Sequence, residues 1–184
     1  ARPTTAESGN PEAMPLASAL DAQNRERQRI ERSIAEEVIG ELQHRFNPAT
    51  DYVIVEGRSF WHIGVVGIVA SRVMRTFHRP TIILGGDGEE WRGSGRSIAG
   101  FALASALRAC HDLLHRHGGH AMAAGLTVAP ANLDRLRARL NELARQALKP
   151  EDLQPALRLD AEVGLEEINL QCLRHLSLLK PMGQ

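Results

Sequence analysis

The chain of 184 residues carries no net charge, because 22 Lys and Arg balance 22 Asp and Glu. That excludes a protein that coats nucleic acid by bulk positive charge and leaves room for a local basic patch. Lysine is nearly missing: of the 22 cations, only Lys149 and Lys180 are lysine. Arginine makes forked contacts to phosphate, so the bias fits phosphate recognition. A GC-rich genome would leave the same bias. Cysteine is scarce. Cys110 and Cys172 lie in apolar, helix-like contexts with no CxxC spacing. This argues against a disulfide framework or a cysteine zinc site and for a reducing, cytoplasmic setting. Apolar runs are short, such as Val65-Val66 and Ile68-Val69-Ala70. None approaches the ~20 residues of a membrane span. The opening Ala1-Arg2-Pro3 has no signal pattern, and both ends read as cut from something longer.

The most informative gap is catalytic. Aspartates stand at 21, 51, 87, 112, 134, 152 and 160, and none forms a DxD, DHH or HxD cluster of the kind that holds catalytic divalent ions. There is no GxSxG elbow and no Cys/His couple at a useful spacing. No catalytic residue and no metal ligand is therefore expected in this chain.

What is present is an ordered alternation of elements. Residues 1–15 hold three prolines and read as irregular. Residues 16–47 read as one long helix, apolar near its ends and solvated from Asp21 to Glu37. Its length suits a bridge between modules. Tyr52–Val55 and Thr81–Leu84 read as buried strands, with a helix from Gly64 to His78 between them. Glu90–Ser97 reads as a third strand, Phe101–His117 as a helix ended by Gly118-Gly119, and Ala124–Val128 as a short strand. Asn132–Leu148 reads as an amphipathic helix with Arg135, Arg137, Arg139 and Arg145 outward. The expected fold over 51–148 is α/β, with a mixed, partly parallel sheet flanked by helices. After Pro150, Leu157–Val163 alternates like an exposed strand and Leu165–Leu179 has helical periodicity.

Three segments carry possible chemistry. Gly93-Ser94-Gly95-Arg96-Ser97 offers close backbone approach, hydroxyls and a forked guanidinium, which together suit a phosphate. It is neither a Rossmann fingerprint nor a Walker A loop, since Ile98 and Phe101 stand where a glycine and a lysine are required. A glycine-rich hairpin with an exposed Arg is the alternative. Gly118-Gly119-His120 would project His120 from a turn, or would simply cap a helix beside a surface histidine. In Trp61-His62-Ile63-Gly64-Val65-Val66-Gly67, the glycines could seat a helix end near a ligand, with Trp61 or His62 stacking on a base. The alternative is that Trp61 packs on the core. His111 and His115, one helical turn apart, lack the glutamate of an HExxH motif and read as a solvated helix face.

Taken in order, these stretches resemble the DHHA1 domain of the RecJ single-strand-specific exonucleases. The resemblance rests on Trp61 to Arg72, on Arg79-Pro80-Thr81, on Gly93 to Ser97, and on Gly118-Gly119-His120 with Ala123-Ala124-Gly125. Leu20 to Gln28 resembles the helix joining that family's DHH and DHHA1 domains. Pro181-Met182-Gly183 resembles a turn early in its following OB-fold region. The division implied is a remnant of the DHH domain or irregular chain at 1–15, a connecting helix at 16–47, a DHHA1-like domain at 51–148, and the start of an OB-fold-like domain at 150–184.

The resemblance implies a part of a 5′→3′ exonuclease that degrades single-stranded DNA in recombination and repair. Ser94, Arg96 and Ser97 would hold a DNA phosphate. Gly118, Gly119 and His120 would reach the scissile region, and His62 is a further contact. Mn²⁺ or Mg²⁺ would be bound by the DHH domain, which this chain lacks, so the chain alone would be inactive. The implied partners are single-stranded DNA and that DHH domain, with no membrane. Two other functions remain open. One is a phosphodiesterase of the same superfamily acting on oligonucleotides or cyclic dinucleotides. The other is a non-catalytic protein-interaction module using the long helix and the Arg-rich 135–145 face.

Overall fold

A computed structural model describes residues 13–157 and 159–180, and the expectations placed on residues 1–12 and on Pro181-Met182-Gly183 lie outside them. The long helix α1 runs Ala13–Arg45. Its first half is exposed, and from Ile34 onward Ile34, Ala35, Val38 and Leu42 are buried at the i, i+1, i+4, i+8 spacing of one helical stripe. Strand β1 (Ile54–Ser59) leads into helix α2 (Val66–Phe77) and strand β2 (Thr81–Gly86). This unit gives a parallel β1–β2 pair. Strand β3 (Trp91–Arg96) returns antiparallel to β2. Helix α3 (Leu103–Ala109) and a 3-10 turn at His111–Leu113 lead into strand β4 (Leu114–Gly119). Strand β5 (Ala123–Val128) then inserts between β3 and β4, and helix α4 (Leu133–Ala147) follows. The sheet order is β1-β2-β3-β5-β4. The expected mixed, partly parallel sheet with flanking helices and a preceding long helix is the observed fold.

The alternation of side chains along a strand divides the core in two. Ile54 and Ile83 pack with Val66, Val69, Ala70 and Val73 of α2 and the buried stripe of α1. Val53, Val55, Ile82, Leu84, Leu126 and Val128 face the other way and pack with α3 and α4 through Leu103, Leu107, Leu136 and Leu140. Helix α4 also closes the free edge of β1. Asn141 Oδ1 accepts from the Tyr52 and Val53 amides, and Arg137 donates from Nε and Nη2 to the Val55 carbonyl. An edge strand left unpaired would invite aggregation, so these contacts have a structural use. They also correct the outward placement expected for Arg137.

Buried Arg79 joins the loops behind the sheet. It donates to the carbonyls of Asp51, Phe77, His78, Leu153 and Pro48 and lies 5.4 Å from the Phe46 ring centroid. Burial pushes its pKa down, opposed by the nearby charge of Asp51.

Two expected elements are replaced by other structure. The helix expected over 101–117 stops at Ala109, and 114–119 is a strand. Pairing of β4 with β5 satisfies the backbone there, which outweighs the local helical pattern. His111 and His115 consequently share no helix face. The strand expected over 157–163 is not formed among its described residues. No neighbouring strand pairs with it, and an unpaired strand leaves its backbone groups unmet.

A second compact unit begins at Pro155. Its helix α5 (Leu170–Ser177) is shorter than the expected 165–179 span. Gly164–Glu167 closes as a separate turn, with the Gly164 amide donating to Glu167 Oε2 at 2.7 Å. Asn169 caps α5 by accepting from the amides of Gln171 and Cys172.

Candidate phosphate-binding face

The Gly93–Ser97 segment is not a phosphate-cradling loop. Gly93 to Arg96 lie inside β3, with partners in both β2 and β5. Its amides are therefore committed to the sheet, and an anion would have to be held by side chains. The two glycines serve the core instead. A Cβ on Gly95 would stand 2.5 Å from Leu103 Cδ2, and one on Gly93 would stand 2.8 Å from Leu84 Cγ.

Ser94 and Arg96 point to the opposite face. Arg96 Nη1 donates to Ser94 Oγ and to the Gly95 carbonyl, each at 2.8 Å. Its Nε and Nη2 make no hydrogen bond among the described residues, so one edge of the guanidinium fork is open. Helix α2 approaches this pair through Gly67. A Cβ there would lie 3.1 Å from both Arg96 Nη2 and Ser94 Oγ. The Trp61–Gly67 and Gly93–Ser97 segments thus meet at Ser94 and Arg96. Ser97 differs. It is 2% exposed, and its hydroxyl donates to the Phe101 carbonyl at 2.7 Å while its amide donates to Met122. Its side chain fixes the turn behind the site.

Gly118 and Gly119 end a strand and enter a hairpin; they do not cap a helix. Gly119 has φ +139°, and a Cβ there would come within 2.5 Å of Ala124 Cα, so the turn requires glycine. The His120 amide donates to the Ala123 carbonyl at 2.7 Å, and the His120 side chain is exposed. Register aligns the segments: Ser94 pairs with Gly125, which pairs with Gly118, while Arg96 pairs with Ala123 beside His120. At about 4.8 Å per strand, the Arg96 and His120 backbones lie roughly 10 Å apart across β5.

Gly118 and Gly125 have no packing reason to be glycine. A Cβ on Gly118 would meet nothing within 4 Å, and one on Gly125 only the Gly93 carbonyl oxygen at 3.8 Å. Neither has a positive φ. Glycine weakens a strand unless something approaches closely. Here the open side is solvent, so packing among the described residues accounts for neither glycine.

Trp61 is core rather than ligand-facing. It is 8% exposed, and its Nε1 donates to Glu37 at 3.3 Å. Its carbonyl lies over Gly85, where a Cβ would collide. His62 is exposed and accepts the Gly64 amide on Nδ1 at 3.1 Å, which shapes the start of α2. No hydrogen bond joins it to Ser94, Arg96 or His120. Three further residues of the Ser94 face, Arg92, Arg116 and Thr127, were not anticipated from the sequence. The period-two series Arg92, Ser94, Arg96 was the available signal.

A family model for the DHHA1 domain matches residues 50–146. The chain belongs to the DHHA1 family. Over 94% of its length it is 40% identical to the single-stranded-DNA-specific exonuclease RecJ of Bacillus subtilis and 35% identical to that of Escherichia coli. It spans only 22% and 31% of those proteins. The crystal structure of RecJ in complex with Mn²⁺ from Thermus thermophilus matches 96% of the chain at a TM-score of 0.80 and 30% identity, covering 26% of that structure. The corresponding Mg²⁺ complex matches with a TM-score of 0.81. The chain is a RecJ-like DHHA1 region. Among the described residues, no three of His, Cys, Asp or Glu gather as a metal site would need. No described helix is long and apolar enough to cross a membrane.

Proposed function

We propose that this chain is the strand-gripping part of a single-strand-specific 5′→3′ exonuclease of DNA recombination and repair. Ser94 and the open edge of Arg96 hold a backbone or 5′-terminal phosphate. His120, carried on the Gly118-Gly119 turn, faces the same substrate from across β5. Ser97 and Gly67 position the grip, and His62 shapes the helix start beside it. A DHH domain outside this chain would hold the Mn²⁺ or Mg²⁺ ions and perform hydrolysis, with α1 as the connection and residues 150–184 beginning an OB-fold-like module. The carrying observation is the Ser94–Gly125–Gly118 row, whose two outer-face glycines no internal packing explains.

The test is binding of a 5′-phosphorylated oligothymidylate to the chain, followed by fluorescence anisotropy. Arg96→Ala removes a charge-assisted contact worth about 1.5–3 kcal/mol, a loss of roughly 10- to 150-fold. Arg135→Ala, on the exposed side of α4, leaves affinity unchanged. Equal affinity of the Arg96→Ala and parent chains would refute the grip. Strand cleavage by the purified chain on Mn²⁺ addition would refute the division of labour.

A further inference from the structure

We propose that Arg92, Thr127 and Arg116 form a second phosphate subsite on the same open face, so that the face takes up several nucleotides of a strand along β3. This rests on the reading of Ser94 and Arg96 as a phosphate grip. Register puts the three residues in one row, since Arg92 pairs with Thr127 and Thr127 with Arg116. Residues directly opposite on neighbouring strands share a face. This row therefore lies beside the Ser94–Gly125–Gly118 row, on the side away from Arg96. A shallow cavity of about 280 Å³ sits there, lined by Arg92, Arg116, Gly125 and Thr127 among others.

Charge gives the second argument. Several arginines elsewhere pair with carboxylates, among them Arg45 with Glu56, Arg58 with Glu37 and Glu41, and Arg72 with Glu31. Others, such as Arg75, Arg108 and Arg135, have no such partner among the described residues but stand on helices, not on one sheet face. Among the described residues, Arg92, Arg96 and Arg116 have no carboxylate within ion-pair distance. Glu90, just ahead of β3, hydrogen-bonds His115 at 2.8 Å and makes no ion pair with Arg92 or Arg116. Three uncompensated cations on one sheet face repel one another, and an anion laid along the face relieves that repulsion. The glycines of the Ser94–Gly125–Gly118 row, between Arg92 and Arg96, let a backbone lie close.

Spacing selects the anion. Arg92 and Arg96 are four residues apart in β3, so their Cα atoms are about 14 Å apart. A strand rising about 3.4 Å per stacked nucleotide covers that span in roughly four nucleotides, and in fewer when unstacked. A free phosphate cannot bridge Arg92 and Arg96 at that separation. A sugar–phosphate strand can.

The experiment compares a 5′-phosphorylated dithymidylate with an oligothymidylate of about eight nucleotides, a length within ordinary single-strand site sizes. Arg92→Ala with Arg116→Ala is expected to weaken the longer strand about tenfold or more and to leave the dinucleotide within about twofold. Arg96→Ala weakens both. The Arg92→Gln, Arg116→Gln pair, which keeps the aliphatic cover, gives the same pattern and separates charge from folding. If the double variants bind the longer strand as the parent does while Arg96→Ala loses both ligands, the second subsite is wrong and the first grip stands. If the double variants weaken both ligands by one factor, a diffuse field is acting and the subsite is again wrong. If Arg96→Ala changes neither ligand, the grip itself fails.

Discussion

Glycines at neighbouring positions of one sheet have different reasons to be there. Gly95 makes room for Leu103, and Gly119 provides a positive φ at a hairpin. Gly125 does neither, since the space above it is open. A Cβ there makes only an ordinary contact with the Gly93 carbonyl oxygen at 3.8 Å, and a branched residue gains strand propensity. Gly125→Val is therefore expected to stabilise the fold by up to about 1 kcal/mol, read as a higher urea midpoint. The same substitution fills the floor between Ser94 and Gly118 and is expected to abolish oligonucleotide binding. A variant that is both more stable and unable to bind separates ligand approach from fold as the reason for glycine. A lowered midpoint, or binding retained at parental strength, would show that the open floor has no such role.

Among the elements, the 3-10 turn at His111–Leu113 is tied to α4 by the Arg139–Asp112 ion pair. The hydrogen bond from Arg139 holds the Asp112 carboxyl below its ordinary range. Its unfolded value is near 3.9, so the folded carboxyl binds its proton less readily than the unfolded one. The pair's contribution is present above about pH 4 and is lost as pH falls through the lower folded value. Asp112→Asn is expected to flatten the dependence of the urea midpoint on pH below about 4 and to change its shape little near neutrality. The effect is small because both partners are substantially exposed. A parental acid limb in the variant would place the titration elsewhere.

That turn also marks where sequence reading loses the fold. Buried elements were legible from pattern: the β-branched runs of β1 and β2, the apolar stripe of α2, and the leucines of α4. Strand β4 was not, because it lies at the sheet edge and its residues from His115 to Gly119 are all exposed, leaving no alternation to read. Its pairing with β5 is a tertiary fact. The same holds for the site. Ser94, Arg96 and the Gly118–His120 turn were marked by residue type. Arg92 and Arg116 joined them only once register placed them in a row.

Across the whole molecule, a net charge of zero coexists with a sheet face bearing three arginines free of carboxylate partners among the described residues. Binding by bulk charge and binding by that face make different demands on salt. A chain that neutralises Z phosphates of a single strand loses affinity with a log–log slope near −0.7Z. Contacts from Arg92, Arg96 and Arg116 give a slope of about −2. Long-range attraction adds little, because the chain as a whole carries no net charge. Measured from about 50 to 200 mM salt, oligonucleotide affinity is thus expected to fall by roughly 10- to 20-fold, rather than the thousandfold or more of proteins making 6–10 phosphate contacts. Each of Arg92→Ala, Arg96→Ala and Arg116→Ala should make the slope shallower by about 0.7. A slope near zero would mean that the face does not read phosphates. A steep slope that survives all three substitutions would move the grip to another surface of the chain.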